Sequence, residues 1–117
     1  MEYTGVQRRT LVMCAEDHVG LWLLIREIKD SAKKRIDPAT VQRRTLNVLR
    51  PLLEEGLVQA GHPAPDGRRF VPWPLPAAEV IGRTKREWDA LGREPNIGDI
   101  VWFTTTEKGD RAVRELK

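Results

Sequence analysis

The sequence predicts a mainly α fold with a small antiparallel sheet, an α+β arrangement, and three observations lead there. Asp37–Gly61 repeats apolar residues at helical spacing until a glycine stops it. The stretches with strand character, Leu57–Ala60, Phe70-Val71 and Ile100–Phe103, are all short. Most of the remaining patterned sequence, at 5–15, 19–28, 77–91 and 107–116, has helical character. A chain of 117 residues, 40% of them hydrophobic, has room for one core and not for two.

Gly5–Ala15 forms a short first helix with Val6, Val12 and Met13 inward and Arg8-Arg9 outward. Glu16-Asp17 turn the chain and set carboxylates at the positive end of the next helix. Val19–Ile28 (Val19, Leu21, Trp22, Leu24, Ile25 and Ile28) carries too broad an apolar stripe for a surface helix, so it belongs to the core. Its polar end is Arg26-Glu27, followed by Lys29–Arg35.

The third helix has Asp37 as its N-cap and Pro38 in the first helical position. Val41, Thr45, Val48, Leu49 and Leu52 recur at three- and four-residue spacing, and Gln42, Arg43, Arg44, Asn47 and Arg50 fall on the other side. Pro51 removes one backbone hydrogen bond and predicts a bend near Asn47, at a cost of about 3 kcal/mol in isolation. Burial of Leu46, Leu49, Leu52 and Leu53 returns roughly 1.5–3 kcal/mol each, so the helix survives.

Gly56 ends that helix and Leu57–Ala60 begins a strand. Pro65-Asp66-Gly67 marks a turn, after which Phe70-Val71 pairs back until Pro72, Pro74 and Pro76 stop the ladder. Ala77–Leu91 is amphipathic, with Ala77, Ile81, Trp88 and Leu91 on one side. That stripe either covers the chain's own core or meets a second copy in a homodimer. Trp22 and Trp102 are expected in the core. Gly92–Gly98 is a loop, Ile100–Phe103 a strand continued or capped by Thr104–Thr106, and Glu107–Leu116 a charged closing helix. VQRRTL occurs at 6–11 and again at 41–46, but the similarity ends there, so it marks no duplicated unit.

Net charge is +3, and the basic residues cluster at Arg8-Arg9, Lys33–Arg35, Arg43-Arg44 and Arg68-Arg69. Acidic residues lie mostly elsewhere, which suits one basic face. The chain has one cysteine, one serine and two histidines, with no Gly-rich phosphate loop, CxxC or HExxH pattern. No enzyme, cofactor or metal site is expected. Cys14 falls in an apolar run and reads as a buried thiol. No signal core or membrane-length apolar run occurs, and the expected setting is reducing and cytoplasmic.

Three helices followed by a hairpin, with LLEEGLV at the join, resemble winged-helix DNA-binding regulators of the broad MarR and PadR type. WFTTTEKGDRAV at 102–113 is similar to the last wing strand and the start of the C-terminal helix in those proteins. The departure is residues 62–98. Either His62–Arg69 is the wing tip and Ile100–Phe103 a third strand, or the whole segment is an insertion carrying an extra helix. On this basis one domain is expected, with its core at about 5–73 and 100–117 and an insertion at about 74–99.

The resemblance implies a transcriptional regulator that lays residues 38–55 in the major groove of duplex DNA, acting as a dimer. Arg matches guanine O6/N7, and Gln or Asn matches adenine N6/N7, which points to Gln42, Arg43, Arg44 and Asn47 as readers. Thr40 and Lys33, Lys34 and Arg35 would hold phosphates, and Arg68 and Arg69 would enter the adjacent minor groove. The rival expectation is a protein-interaction module on the same fold, such as an antitoxin, an immunity protein or a scaffold.

Overall fold

The computed structural model describes residues 3–116. The first helix, α1 (Gly5–Glu16), opens on a capping box in which Thr4 Oγ1 accepts from Gln7 N and Gln7 Oε1 accepts from Thr4 N. Its buried residues are Gln7, Thr10, Leu11 and Cys14, so the inward face is rotated from the expected Val6, Val12 and Met13, which are half-buried. The cause is local satisfaction of polar groups. Gln7 is spent on the cap, and Thr10 donates to the carbonyl of Val6 at 2.8 Å, leaving both free to face apolar neighbours.

Val19-Gly20 form a two-residue strand, β1, before α2 (Leu21–Ser31), correcting the expectation of one helix from Val19. The N-cap of α2 is Gly20, which has no side chain to accept a hydrogen bond. Leu21, Leu24, Ile25 and Ile28 are buried. The ring of Trp22 occupies the space where a Gly20 side chain would stand, and it meets Trp102 edge-on at 4.8 Å. Both rings are half-buried rather than fully inside.

The longest helix is α3 (Pro38–Glu54), and it runs through Pro51 without ending. Asn47, whose carbonyl loses its helical donor there, is exposed. The helix stops in a Schellman motif: Gly56, at φ +70°, donates to Leu53 O at 3.1 Å, and Leu57 N donates to Leu52 O at 2.9 Å. The strands that follow are β2 (Val58–Pro63) and β3 (Phe70–Pro72), joined by a turn at Pro65–Gly67. Next come α4 (Ala77–Leu91), β4 (Trp102–Thr105) and α5 (Glu107–Leu116). The strand expected at Ile100–Phe103 therefore starts two residues later. Ile100 lies at φ +68°, outside the extended region a strand requires.

The sheet order is β1-β4-β2-β3, antiparallel throughout. β4 lies between β1 and β2, pairing Phe103 with Val19 on one side and with Ala60 on the other. After β3, which forms an outer edge, residues 73–101 leave the sheet and the chain returns as β4 on the other side of β2. His62 joins the two ends of this excursion. Its Nε2 lies 2.9 Å from Ile100 O, and its Nδ1 accepts from Trp73 Nε1 at 3.2 Å.

One hydrophobic cluster draws on every helix and on β1, β2 and β4. Residues 74–99, set apart by sequence as an insertion, contribute Val80, Ile81 and Trp88 to it. The stripe of α4 is therefore spent on the chain's own core, where Trp88 retains 7% exposure. Trp88→Ala is expected to lower stability by about 3–5 kcal/mol in denaturant unfolding. A variant that melts like the parent would mean that this ring does not anchor α4.

Candidate nucleic-acid interface

The N-terminus of α3 is held by Asp37, whose Oδ1 accepts from Thr40 N at 2.7 Å. That hydrogen bond lowers the Asp37 carboxyl below its usual range, with a smaller contribution from the charge of Arg43. The cap therefore stays ionised well into the acidic range, and its contribution is lost only as pH falls through that lowered value. Val41, Thr45, Leu46, Leu49 and Leu52 face inward. Arg43, Arg44, Asn47 and Arg50 stand exposed on the opposite face, with Thr40 half-buried at its start.

That face concentrates unpaired charge: among the described residues α3 carries three arginines without an ion pair, and each other helix carries one (Arg8, Arg26, Arg86 and Arg114). Arg9, Lys29, Arg69, Arg83, Lys85, Arg93, Lys108 and Arg111 each lie within 4.0 Å of a carboxylate. Among the described residues, Arg43, Arg44 and Arg50 form no ion pair, and the side chain of Asn47 makes no hydrogen bond. The four side chains are an uncommitted set of planar donors, and Asn47 adds an acceptor.

The other sequence candidates are placed differently. Lys33, Lys34 and Arg35 are exposed in the linker between α2 and α3 and line a concavity with Lys29, Asp37 and Pro38. Arg68 and Arg69 occupy the tip of the β2–β3 turn, where Gly67 takes φ +74°. Asp66 organises that tip: its Oδ1 accepts from Arg68 N and Arg69 N, and its Oδ2 binds Arg69 Nε at 3.1 Å. Those bonds depress the Asp66 carboxyl and tie down one of the two guanidinium groups.

Gln42 is not on the exposed face. It points sideways from α3 and donates from Nε2 to Asp89 Oδ1 at 2.9 Å, while Asp89 Oδ2 accepts from Lys85 Nζ at 2.8 Å. The two bonds, Gln42 first, hold the Asp89 carboxyl below its usual range. Sequence reasoning missed Lys85 and Asp89. Their i,i+4 spacing on one helix was legible, but nothing local signals that α4 packs along α3.

Cys14 is buried at 1% exposure, and desolvation pushes its thiol up to about 12. His18 sits edge-on to Phe70, with ring centroids 5.1 Å apart. Among the described residues no group of three His, Cys, Asp or Glu is placed to hold a metal ion, and no helix is long and apolar enough to cross a membrane.

No protein-family model, curated protein or solved structure matches the chain.

The burial of Cys14 makes a direct forecast. At mildly alkaline pH a thiol reagent should leave the native protein unlabelled and react fully in denaturant. Rapid labelling without denaturant would contradict the placement of α1.

Proposed function

We propose that this protein binds duplex DNA through α3, in the manner of a winged-helix transcriptional regulator. One observation carries the reading: Arg43, Arg44, Asn47 and Arg50 are exposed together on one capped helix, without partners among the described residues, whereas each other helix has a single unpaired arginine there. Three helices precede the β2–β3 hairpin, and β4 between β1 and β2 places the strand after α3 beside the last strand. Both features agree with the winged-helix resemblance.

An α-helix fits the major groove of B-DNA, and each base pair displays a distinct pattern there. Arg43 and Arg44 match the two acceptors of guanine, and Asn47 matches the acceptor and donor of adenine. Thr40 and Lys33–Arg35, at and before the N-terminus of α3, supply phosphate contacts. Arg68, the unpaired guanidinium at the hairpin tip, serves the minor groove more readily than Arg69. A homodimer on a palindromic site would use surfaces other than the inward stripe of α4.

A protein-interaction module is the second reading, and a specific observation favours it. The carboxylates of Asp89 and Glu94 line the surface beside Pro38, Ala39 and Gln42, where a DNA strand would approach. Such negative charge is more at home against a protein partner than against phosphate.

Fluorescence anisotropy with mixed-sequence duplex DNA separates the two. With about six phosphate contacts, affinity should fall roughly a thousandfold between ~50 and ~200 mM salt. Arg43→Glu with Arg44→Glu should abolish binding and leave the melting temperature nearly unchanged. Binding that survives the pair means α3 is not the reading helix. If the parent does not bind at the lower salt, a pull-down for a protein partner is the next step.

A further inference from the structure

We propose that α4 is a second DNA-facing element, in which Lys85 contacts the phosphate strand running along the flank of α3 and Gln42 fastens α4 in place rather than reading a base. This rests on the duplex-binding reading of α3.

The helix α4 is firmly held. Val80, Ile81 and Trp88 belong to the central cluster, and Thr84 is buried at 1% exposure with its hydroxyl on Val80 O. The helix is therefore part of the packed body and lies against α3. The contact that continues to the surface is the chain Gln42–Asp89–Lys85, with bonds of 2.9 and 2.8 Å. A single carboxylate thus sets an ammonium of α4 beside the flank of the proposed recognition helix.

A helix nearly fills the major groove, which is about 12 Å wide. The phosphate strands that wall the groove then pass along the helix's two sides. An element packed on one side of α3 meets such a strand, and its outward cations decide whether that meeting is favourable. Lys85 is about half exposed and so is Asp89, leaving the ammonium free to turn from the carboxylate to an arriving phosphate. Arg86, the next residue, is exposed and forms no ion pair among the described residues. Gln42 is committed sideways, so its amide serves alignment of the two helices.

The plainer account is that Lys85–Asp89 is an ordinary surface ion pair one helical turn long. Arg111–Glu107 on α5 is the matched case: an exposed i,i+4 pair, on a helix that packs against α1 and β4. The test is the slope of log affinity against log salt for the full chain with mixed-sequence duplex DNA, comparing the parent with Lys85→Ala and Arg111→Ala. Loss of one phosphate contact lowers the slope by about 0.9, so the change in affinity between ~50 and ~200 mM salt shrinks about threefold. That decrease is expected for Lys85→Ala and not for Arg111→Ala. A partly unfolded variant would shift every affinity by one factor and leave the slope intact.

If the parent binds and Lys85→Ala keeps its slope, the role of α4 is overturned while the reading of α3 stands. A parent that binds no duplex at the lower salt overturns both.

Discussion

The sheet depends on one junction, where the end of α3 meets the start of α5. Leu57 O accepts from Thr106 N at 3.0 Å, Thr106 Oγ1 donates to Gly56 O, and Lys108 Nζ donates to Glu55 O at 2.8 Å. Thr106 also accepts from Gly109 N at 3.0 Å, capping α5 with the same hydroxyl. Gly109 is required because a β-carbon there would stand 2.0 Å from Leu57 O. The junction places β4 in register beside β2, and β4 in turn supplies the ladder partner of β1. Without it β1 has no partner, and β2 and β3 are a lone hairpin, which is marginal in water. The two segments that carry the winged-helix resemblance, 52–58 and 102–113, are therefore in direct contact.

The helices share a second device. Thr10, Thr45 and Thr84 are nearly inaccessible, and each donates to the carbonyl four residues earlier, Val6, Val41 and Val80, at 2.8 Å. Back-bonding of this kind satisfies a buried hydroxyl without a tertiary partner. In each helix an exposed or half-buried arginine precedes the threonine, giving the pattern Val-x-x-Arg-Thr. The repeated VQRRTL is accounted for here: in both copies the arginines face outward and Thr-Leu faces inward. It is one local solution used twice for a helix that must bury one side and charge the other, and α4 uses a looser version.

Legibility followed the range of the interactions. Ala77–Leu91, Glu107–Leu116 and the Asp37 cap were readable because period and capping chemistry are local. β1 was not, since two residues have no period and become a strand only because β4 arrives from more than eighty positions away. The face of α1 was misjudged because Gln7 and Thr10 look like surface residues until their own backbone bonds are counted. On the candidate site the same division holds. The outward side of α3 follows from helical spacing, whereas the ties of Gln42 to Asp89 and of Arg69 to Asp66 need a neighbouring helix or a particular turn.

Charge distribution, not net charge, then carries the case for a polyanionic partner. A surplus of three positive charges over 117 residues would attract DNA only weakly if it were spread evenly. Here carboxylates pair Lys29 on α2, Arg83 and Lys85 on α4, Lys108 and Arg111 on α5 and Arg69 at the hairpin tip. Among the described residues one arginine is left unpaired on each (Arg26, Arg86, Arg114 and Arg68), while α3 and the linker before it keep three unpaired cations apiece. An exposed ion pair has little to gain on its own, but its charges cancel at the range over which a phosphate is sensed. Pairing elsewhere therefore leaves α3 and the linker before it as the densest groups of unpaired positive charge among the described residues. Asp89 and Glu94 are the exceptions at its edge, and carboxylates already bonded to Gln42 and Lys85 or to Lys29 repel phosphate less than bare ones. On the proposed reading, that compensation would let α4 lie so close to α3 without closing the face to DNA.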